Sequence, residues 1–166
     1  MQTLTKVLQK AKERAQADNL PYAGALTPKE AYEVLRLTTN AKLIDVRSRA
    51  ELELVGRVPQ AAHIEWAFYP GMVANQDFSK QLTMQVDKES VVIFMCRTGG
   101  RSHNAATLAA QLGFTEAYNM LEGFEGEATP DTKQRCKIPA PFVVRFKHNA
   151  FAILKLPEKV CEKARL

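Results

Sequence analysis

The sequence predicts an α/β fold, a parallel β-sheet with helices on both faces. Three observations carry this reading. Short apolar segments alternate along the chain with helix-length amphipathic ones, the order that crossover connections require. Val91-Val92-Ile93-Phe94-Met95 is an unbroken β-branched and aromatic run, the pattern of a strand buried on both sides. Two segments, Thr27-Pro28-Lys29-Glu30 and Ser48-Arg49-Ala50-Glu51, carry the residues of a capping box and so mark where helices begin.

The first element is a helix over about residues 3–17, with Leu4, Leu8, Ala11 and Ala15 on one stripe and charged residues elsewhere. Asn19 ends it, and residues 20–26 read as a turn followed by a short extended piece. Thr27 caps the second helix, Pro28 occupies its first position, and the helix runs to about Leu37, burying Ala31, Val34 and Leu35. Residues 41–46 form a short apolar strand, and a short helix opened by Ser48 reaches about Val55. Pro59 turns the chain into a brief strand near residues 62–64. A helix over residues 77–85 points Phe78 and Leu82 inward. The strand at residues 91–95 is followed by a turn and a helix over residues 102–112, which Gly113 stops. Residues 117–120 form the last strand of this series. Further on, residues 141–146 and 150–156 read as two strands around Lys147-His148-Asn149, with a short helix after Pro157.

With 166 residues, 46% of them hydrophobic and 25% charged, the chain suits one domain of ordinary size and excludes disorder, collagen and a pure coiled coil. No apolar run approaches the roughly 20 residues that span a bilayer. The N-terminal stretch lacks the apolar core of a secretory signal, so a cytoplasmic protein is expected. The net charge of +5 is concentrated at one end: residues 133–166 hold nine Lys or Arg and two Glu, while the rest of the chain is slightly acidic. This reads as a solvated basic extension, and no nucleic-acid or membrane partner is expected. The division is a helical extension over residues 1–23, a central domain over residues 24–132 and the basic extension.

The three cysteines, Cys96, Cys136 and Cys161, are odd in number, widely spaced and without a C-x-x-C pair, so neither a disulfide framework nor a zinc site is expected. Cys96 stands out by its surroundings. It ends the buried strand and is followed by Arg97-Thr98-Gly99-Gly100-Arg101-Ser102 and a helix. The carboxyl ends of parallel strands are where such sheets bind ligands. Gly99 and Gly100 allow the turn to curl until successive N–H groups share a centre, and the helix N-terminus adds its own free donors. Arg97 and Arg101 contribute two positive charges. These features favour thiolate over thiol, and Cys96 is expected to be ionised, nucleophilic and set in a cradle for an anion.

At this loop the sequence resembles the single-domain rhodaneses, the thiosulfate sulfurtransferase family. Cys96–Ser102 is similar to that family's active-site loop, and Leu43-Ile44-Asp45-Val46-Arg47 with Glu51 to its D-V-R-x-x-x-E element. Residues 56–61 resemble its G-H-I-P-G-A segment, and Leu121-Glu122-Gly123-Phe124 its closing L-x-G-G-F/W signature. The likeness extends over about residues 24–127. It implies a five-stranded, mainly parallel sheet with helices on both sides. It implies that Cys96 takes the outer sulfur of thiosulfate, releases sulfite, becomes a persulfide and passes the sulfur to cyanide, a thiol or a sulfur-carrier protein, with no cofactor. Arg97 and Arg101 would then orient the donor, and the amides of Thr98, Gly99, Gly100, Arg101 and Ser102 would hold the persulfide. Arg57 and Gln60 depart from the family's usual His and Gly, and the usual C-terminal Gly-Trp and Gly-Leu-Pro are replaced by the basic extension.

Other residues admit two readings each. Asp45 and Glu51 either hold the arginines or simply end a strand and complete a cap. Arg47 either adds a cation to the pocket or lies on the surface. Trp66, Phe68 and Tyr69 rim the pocket or, as is more usual for aromatics beside a strand end, belong to the core. His103 is read as solvent-facing rather than as a base, and Cys136 and Cys161 as ordinary. Two competing functions share the motif: a phosphatase or arsenate reductase of the Cys-x5-Arg type, and a non-catalytic interaction module. Four residues separate Cys96 from Arg101, one fewer than in phosphate-handling loops, and modules of the second kind commonly lose the cysteine that is retained here.

Overall fold

The computed structural model describes residues 4–126. The strands and helix assigned beyond residue 140, the basic extension, Cys136 and Cys161 lie outside the described residues. A five-stranded, wholly parallel sheet has the order β1-β7-β6-β2-β3, formed by β1 (Gly24–Leu26), β2 (Ala41–Asp45), β3 (Ala62–His63), β6 (Val91–Met95) and β7 (Ala117–Met120). A separate antiparallel pair, β4 (Ala67–Phe68) with β5 (Val73–Ala74), lies between β3 and the following helix.

The helices are α1 (Leu4–Ala17), α2 (Pro28–Leu37), α3 (Arg49–Val55), α4 (Phe78–Gln85) and α5 (Gly100–Gln111). Both capping boxes form: the Thr27 and Ser48 hydroxyls accept from the N–H of Glu30 and Glu51, whose carboxylates accept from the Thr27 and Ser48 amides in return. Alternation along β6 sorts the core into two layers. Ile93 and Met95 pack with Val7, Ala11, Ala31 and Val34 of α1 and α2. Val92, Phe94 and Cys96 pack with Leu82 of α4 and Ala105, Ala106 and Ala109 of α5. Leu35, expected inside, is only partly buried.

α1 is built into the domain rather than appended to it. Val7, Ala11 and Ala15 are buried. Arg14 grips Glu30 through two hydrogen bonds (2.7 and 2.8 Å) and donates to the Ala25 carbonyl (2.8 Å) on edge strand β1. A Cβ added at Gly24 would lie 2.9 Å from the backbone of Ala11, so only glycine lets helix and strand approach this closely. No helix among the described residues is long and apolar enough to cross a membrane.

The topology singles out one place in the sheet. β2 connects through α3 to β3 on one side, whereas β6, its neighbour, connects through α5 to β7 on the other. Chain connections therefore diverge above β2 and β6, leaving a crevice at their carboxyl ends. Asp45 pairs in register with Met95 at that point, and Cys96 follows directly.

Candidate active site

Cys96 sits at the crevice with 1% of its surface exposed. The turn after it is tighter than the sequence suggested, and α5 starts at Gly100, two residues earlier than expected, because Gly99 adopts a left-handed conformation (φ 105°) at the N-cap. A Cβ there would lie 3.3 Å from the Glu122 amide, in addition to the conformational strain. The turn brings two donors to the sulfur: the Gly99 N–H at 3.1 Å and the Ser102 hydroxyl at 3.3 Å. Ser102 also reaches the Gly99 carbonyl at 3.1 Å, so its single proton is shared between sulfur and carbonyl. No side chain caps α5, and its first-turn amides have no partner within the helix.

Residues 121–126 close over the loop from the far side. Phe124 N–H donates to the Cys96 carbonyl (2.8 Å) and Glu125 N–H to that of Arg97 (3.0 Å). Gly123 makes this approach possible. Its φ is +55°, and a Cβ would stand only 2.4 Å from the Cys96 oxygen. The closing signature is thus a clamp on the backbone of the cysteine.

Both arginines of the loop are paired with carboxylates. Arg101 is held by Glu51 through two hydrogen bonds of 2.7 Å, which raise its pKa, and it lies within electrostatic reach of Cys96 and Asp45. Burial pushes the Glu51 carboxyl up, but Arg101 and the Ser48 amide and hydroxyl more than reverse this and hold it at about 2. Glu51 thus makes both contacts at once: it completes the cap of α3 and pairs with Arg101. Arg97 is 63% exposed along its side chain and pairs with Glu125 at 2.5 Å. Positive potential at the sulfur thus has contributions from the Gly99 amide and the end of α5 as well as from Arg101.

Arg47 overturns both alternatives considered for it. It is 1% exposed, neither on the surface nor in an open pocket. Its guanidinium binds Asp45 (2.6–3.1 Å) and the Gly56 carbonyl (3.1 Å) and stacks on the Phe124 ring at 3.8 Å. Asp45 thus holds an arginine, but the internal one rather than the two of the loop. One nitrogen of Arg47, Nη1, is buried without a hydrogen-bond partner.

Trp66 fits the core reading of the aromatics, whereas Phe68 and Tyr69 do not, and His103 is not solvent-facing. Trp66 is half-buried and packs edge-on against Phe78, while Phe68 and Tyr69 lie exposed on the β4–β5 hairpin. His103 is half-buried and bonded through Nδ1 to the Tyr22 hydroxyl at 2.7 Å. Sequence reasoning did not find Tyr22, Glu125 or the stacking role of Phe124, whose partners are all remote in the chain. Arg57 lines a cavity of about 590 Å³ with Asp45, Leu52, Val58 and His63. Among the described residues no three His, Cys, Asp or Glu side chains gather as a metal cluster.

Comparison with known proteins matches residues 27–127 to the rhodanese-like domain. The crystal structure of Rv0390 from M. tuberculosis is 38% identical with a TM-score of 0.59, covering 69% of this chain and 88% of that one. A Rickettsia conorii protein, RC0915, is 35% identical over 99 residues, which are 58% of this chain and 80% of the relative. The thiosulfate sulfurtransferase GlpE of Haemophilus influenzae is 29% identical over 101 residues, 61% of this chain and 84% of that enzyme.

Proposed function

This chain belongs to the rhodanese-like domain family, and on that footing we propose that it is a sulfurtransferase carrying sulfane sulfur on Cys96. The observation that carries the reading is the pair of donors converging on one sulfur at the sheet's crevice, from the Gly99 amide and the Ser102 hydroxyl. Donors of this kind stabilise negative charge on sulfur, both before reaction and in the adduct. The likeness to the GlpE sulfurtransferase supports the same class of chemistry.

In the first step the Cys96 thiolate attacks the outer sulfur of thiosulfate. A new S–S bond forms, the S–S bond of thiosulfate breaks, and sulfite leaves with the electron pair. The persulfide carries its negative charge on the terminal sulfur, within the arc of amides from Thr98 to Ser102. In the second step a nucleophilic acceptor (cyanide, a thiol or a carrier-protein thiol) attacks the terminal sulfur and Cys96 thiolate departs. No external oxidant or reductant enters the cycle.

The charged residues divide the work. Arg101, fixed by Glu51, holds the loop in shape and adds potential at the sulfur. The Arg97–Glu125 pair is exposed and inexpensive to open, so Arg97 can exchange Glu125 for the sulfonate end of the donor. Arg47 and Asp45 do not touch the donor; they support Phe124 and through it the Cys96 carbonyl.

The test is thiocyanate formation from thiosulfate and cyanide, with p-nitrophenyl phosphate as a parallel substrate. The wild type should turn over thiosulfate and leave the phosphate ester untouched, and Cys96→Ser should be inactive. A serine variant with normal turnover refutes the assignment. Cysteine-dependent phosphatase activity would replace it with the phosphate-handling reading.

A further inference from the structure

We infer that Tyr22 and His103 are a positioning pair for Cys96: the phenol, carried by the segment ahead of β1, fixes the first turn of α5, whose donors hold the sulfur. The inference rests on Cys96 as the sulfur carrier and adds a residue from outside residues 27–127, the stretch that matches the family.

The helices of the domain differ in how their starts are secured. α2 and α3 are fixed by capping boxes. α5 has glycine at its N-cap and no side-chain cap. The amide of its N-cap, Gly99, points at the sulfur, and a side chain capping the free amides of the first turn would occupy donors of the kind the chemistry needs. A helix end kept open in this way has to be held from the side.

His103 supplies the hold. Its backbone N–H bonds to the Gly99 carbonyl at 3.0 Å, while the amide of the same Gly99 bonds to Cys96 Sγ at 3.1 Å. Its neighbour Ser102 is the second sulfur donor. Displacing His103 therefore displaces both donors. The His103 ring is held by Tyr22 through the 2.7 Å hydrogen bond to Nδ1 and an edge-on contact with ring centroids 5.3 Å apart.

Tyr22 is itself well anchored. It is buried in the layer that contains Phe94 and Cys96, and the next residue, Ala23, bonds through its N–H to the Ala117 carbonyl of β7 (3.0 Å). Burial raises the phenol's pKa and a hydrogen bond from Asn119 works against this, with a net upward shift. The phenol thus stays protonated, and in the inferred pairing its O–H is the donor to His103 Nδ1. Asn119 of β7 pairs in register with Phe94, beside the strand that ends at Cys96.

The test compares wild type, Tyr22→Phe, His103→Leu, His103→Asn and the double variant Tyr22→Phe/His103→Leu. Two rates are read: single-turnover sulfite release from saturating thiosulfate, and iodoacetamide alkylation of the Cys96 peptide followed by mass spectrometry. Loss of one hydrogen bond predicts a fall of roughly three- to tenfold in both rates for Tyr22→Phe. His103→Leu should fall at least as far, and the double variant should be no slower than His103→Leu. His103→Asn, whose Oδ1 takes the place of Nδ1 as acceptor, should recover to within about twofold of wild type; a merely structural defect would not be rescued in this way. Wild-type rates in Tyr22→Phe, or losses that multiply in the double variant, overturn the inference. Alkylation involves no sulfur transfer, so it judges the pair even if Cys96→Ser shows the sulfur-carrier reading to be wrong.

Discussion

Replacing Glu51 by Gln separates the two tasks of that side chain. Glutamine at the third helical position still accepts from the Ser48 amide, so the cap of α3 survives, while the charge facing Arg101 is removed. In the folded protein the carboxyl titrates at about 2 against an ordinary 4.5, the lowering by Arg101 and Ser48 exceeding the upward push of burial. A depressed pKa contributes stability that is complete above the unfolded value and is lost as pH falls from about 4.5 toward 2. Taken at face value the displacement is worth on the order of 3 kcal/mol. The Glu51 side chain is 26% exposed, and solvent screening reduces the figure to roughly 1–2 kcal/mol. Urea unfolding of wild type and Glu51→Gln should therefore differ by up to about that amount at pH 7, since glutamine keeps the Ser48 bond, with roughly half or more of the gap closed by pH 3. A gap of the same size at both pH values, or none at pH 7, would show that the ion pair does not carry this stability.

Three further substitutions probe the loop and its supports. Ser102→Ala removes one of the two sulfur donors and should slow stopped-flow sulfite release roughly 10- to 100-fold with little change in thermal midpoint; a rate within twofold of wild type would remove Ser102 from the site. Gly123→Ala forces a Cβ to within 2.4 Å of the Cys96 oxygen at positive φ and should destabilise by on the order of 3 kcal/mol or more, read by calorimetry, so an unchanged midpoint contradicts the clamp. Arg47→Lys loses the two-armed grip on Asp45 and the stacked plane over Phe124 and should cost about 2–4 kcal/mol in urea unfolding. Unchanged stability with a raised KM for thiosulfate would instead make Arg47 a substrate contact.

The parts of the fold that were legible are those specified by adjacent residues. Thr27 with Glu30, Ser48 with Glu51 and Gly113 fix helix ends through bonds and angles a few residues long, and all three act as read. The run Val91–Met95 is central and buried along its whole length, as its composition requires. The β4–β5 hairpin was not legible because strands of two residues leave no alternation to detect. For the same reason nothing in the sequence shows that Phe68 and Tyr69 lie exposed on it rather than in the core.

At the site, the cysteine, the glycines and the serine follow from the loop's own sequence. The electrostatics do not, because the partner of Arg97 lies 28 positions away and that of Arg101 lies 50 away. Glu51 is a candidate partner for the arginines in the sequence, but spacing along the chain neither assigns it to Arg101 nor points to Glu125 as the partner of Arg97. The Tyr22–His103 bond spans 81 positions and depends on α1 and β1 docking at the edge of the sheet, a tertiary arrangement with no local signature. Arg47 was misread because a burial of that completeness needs both Asp45 beneath it and Phe124 across it, and only the first is near in sequence.

The central claim is that Cys96, and no other cysteine of the chain, carries transferable sulfur. Peptide mapping by mass spectrometry after brief exposure of the full chain to thiosulfate tests it most directly. One added sulfur on the peptide containing Cys96, removed by dithiothreitol or cyanide and absent from the peptides of Cys136 and Cys161, is the predicted result. An unmodified Cys96 under conditions in which the protein releases sulfite would contradict the account.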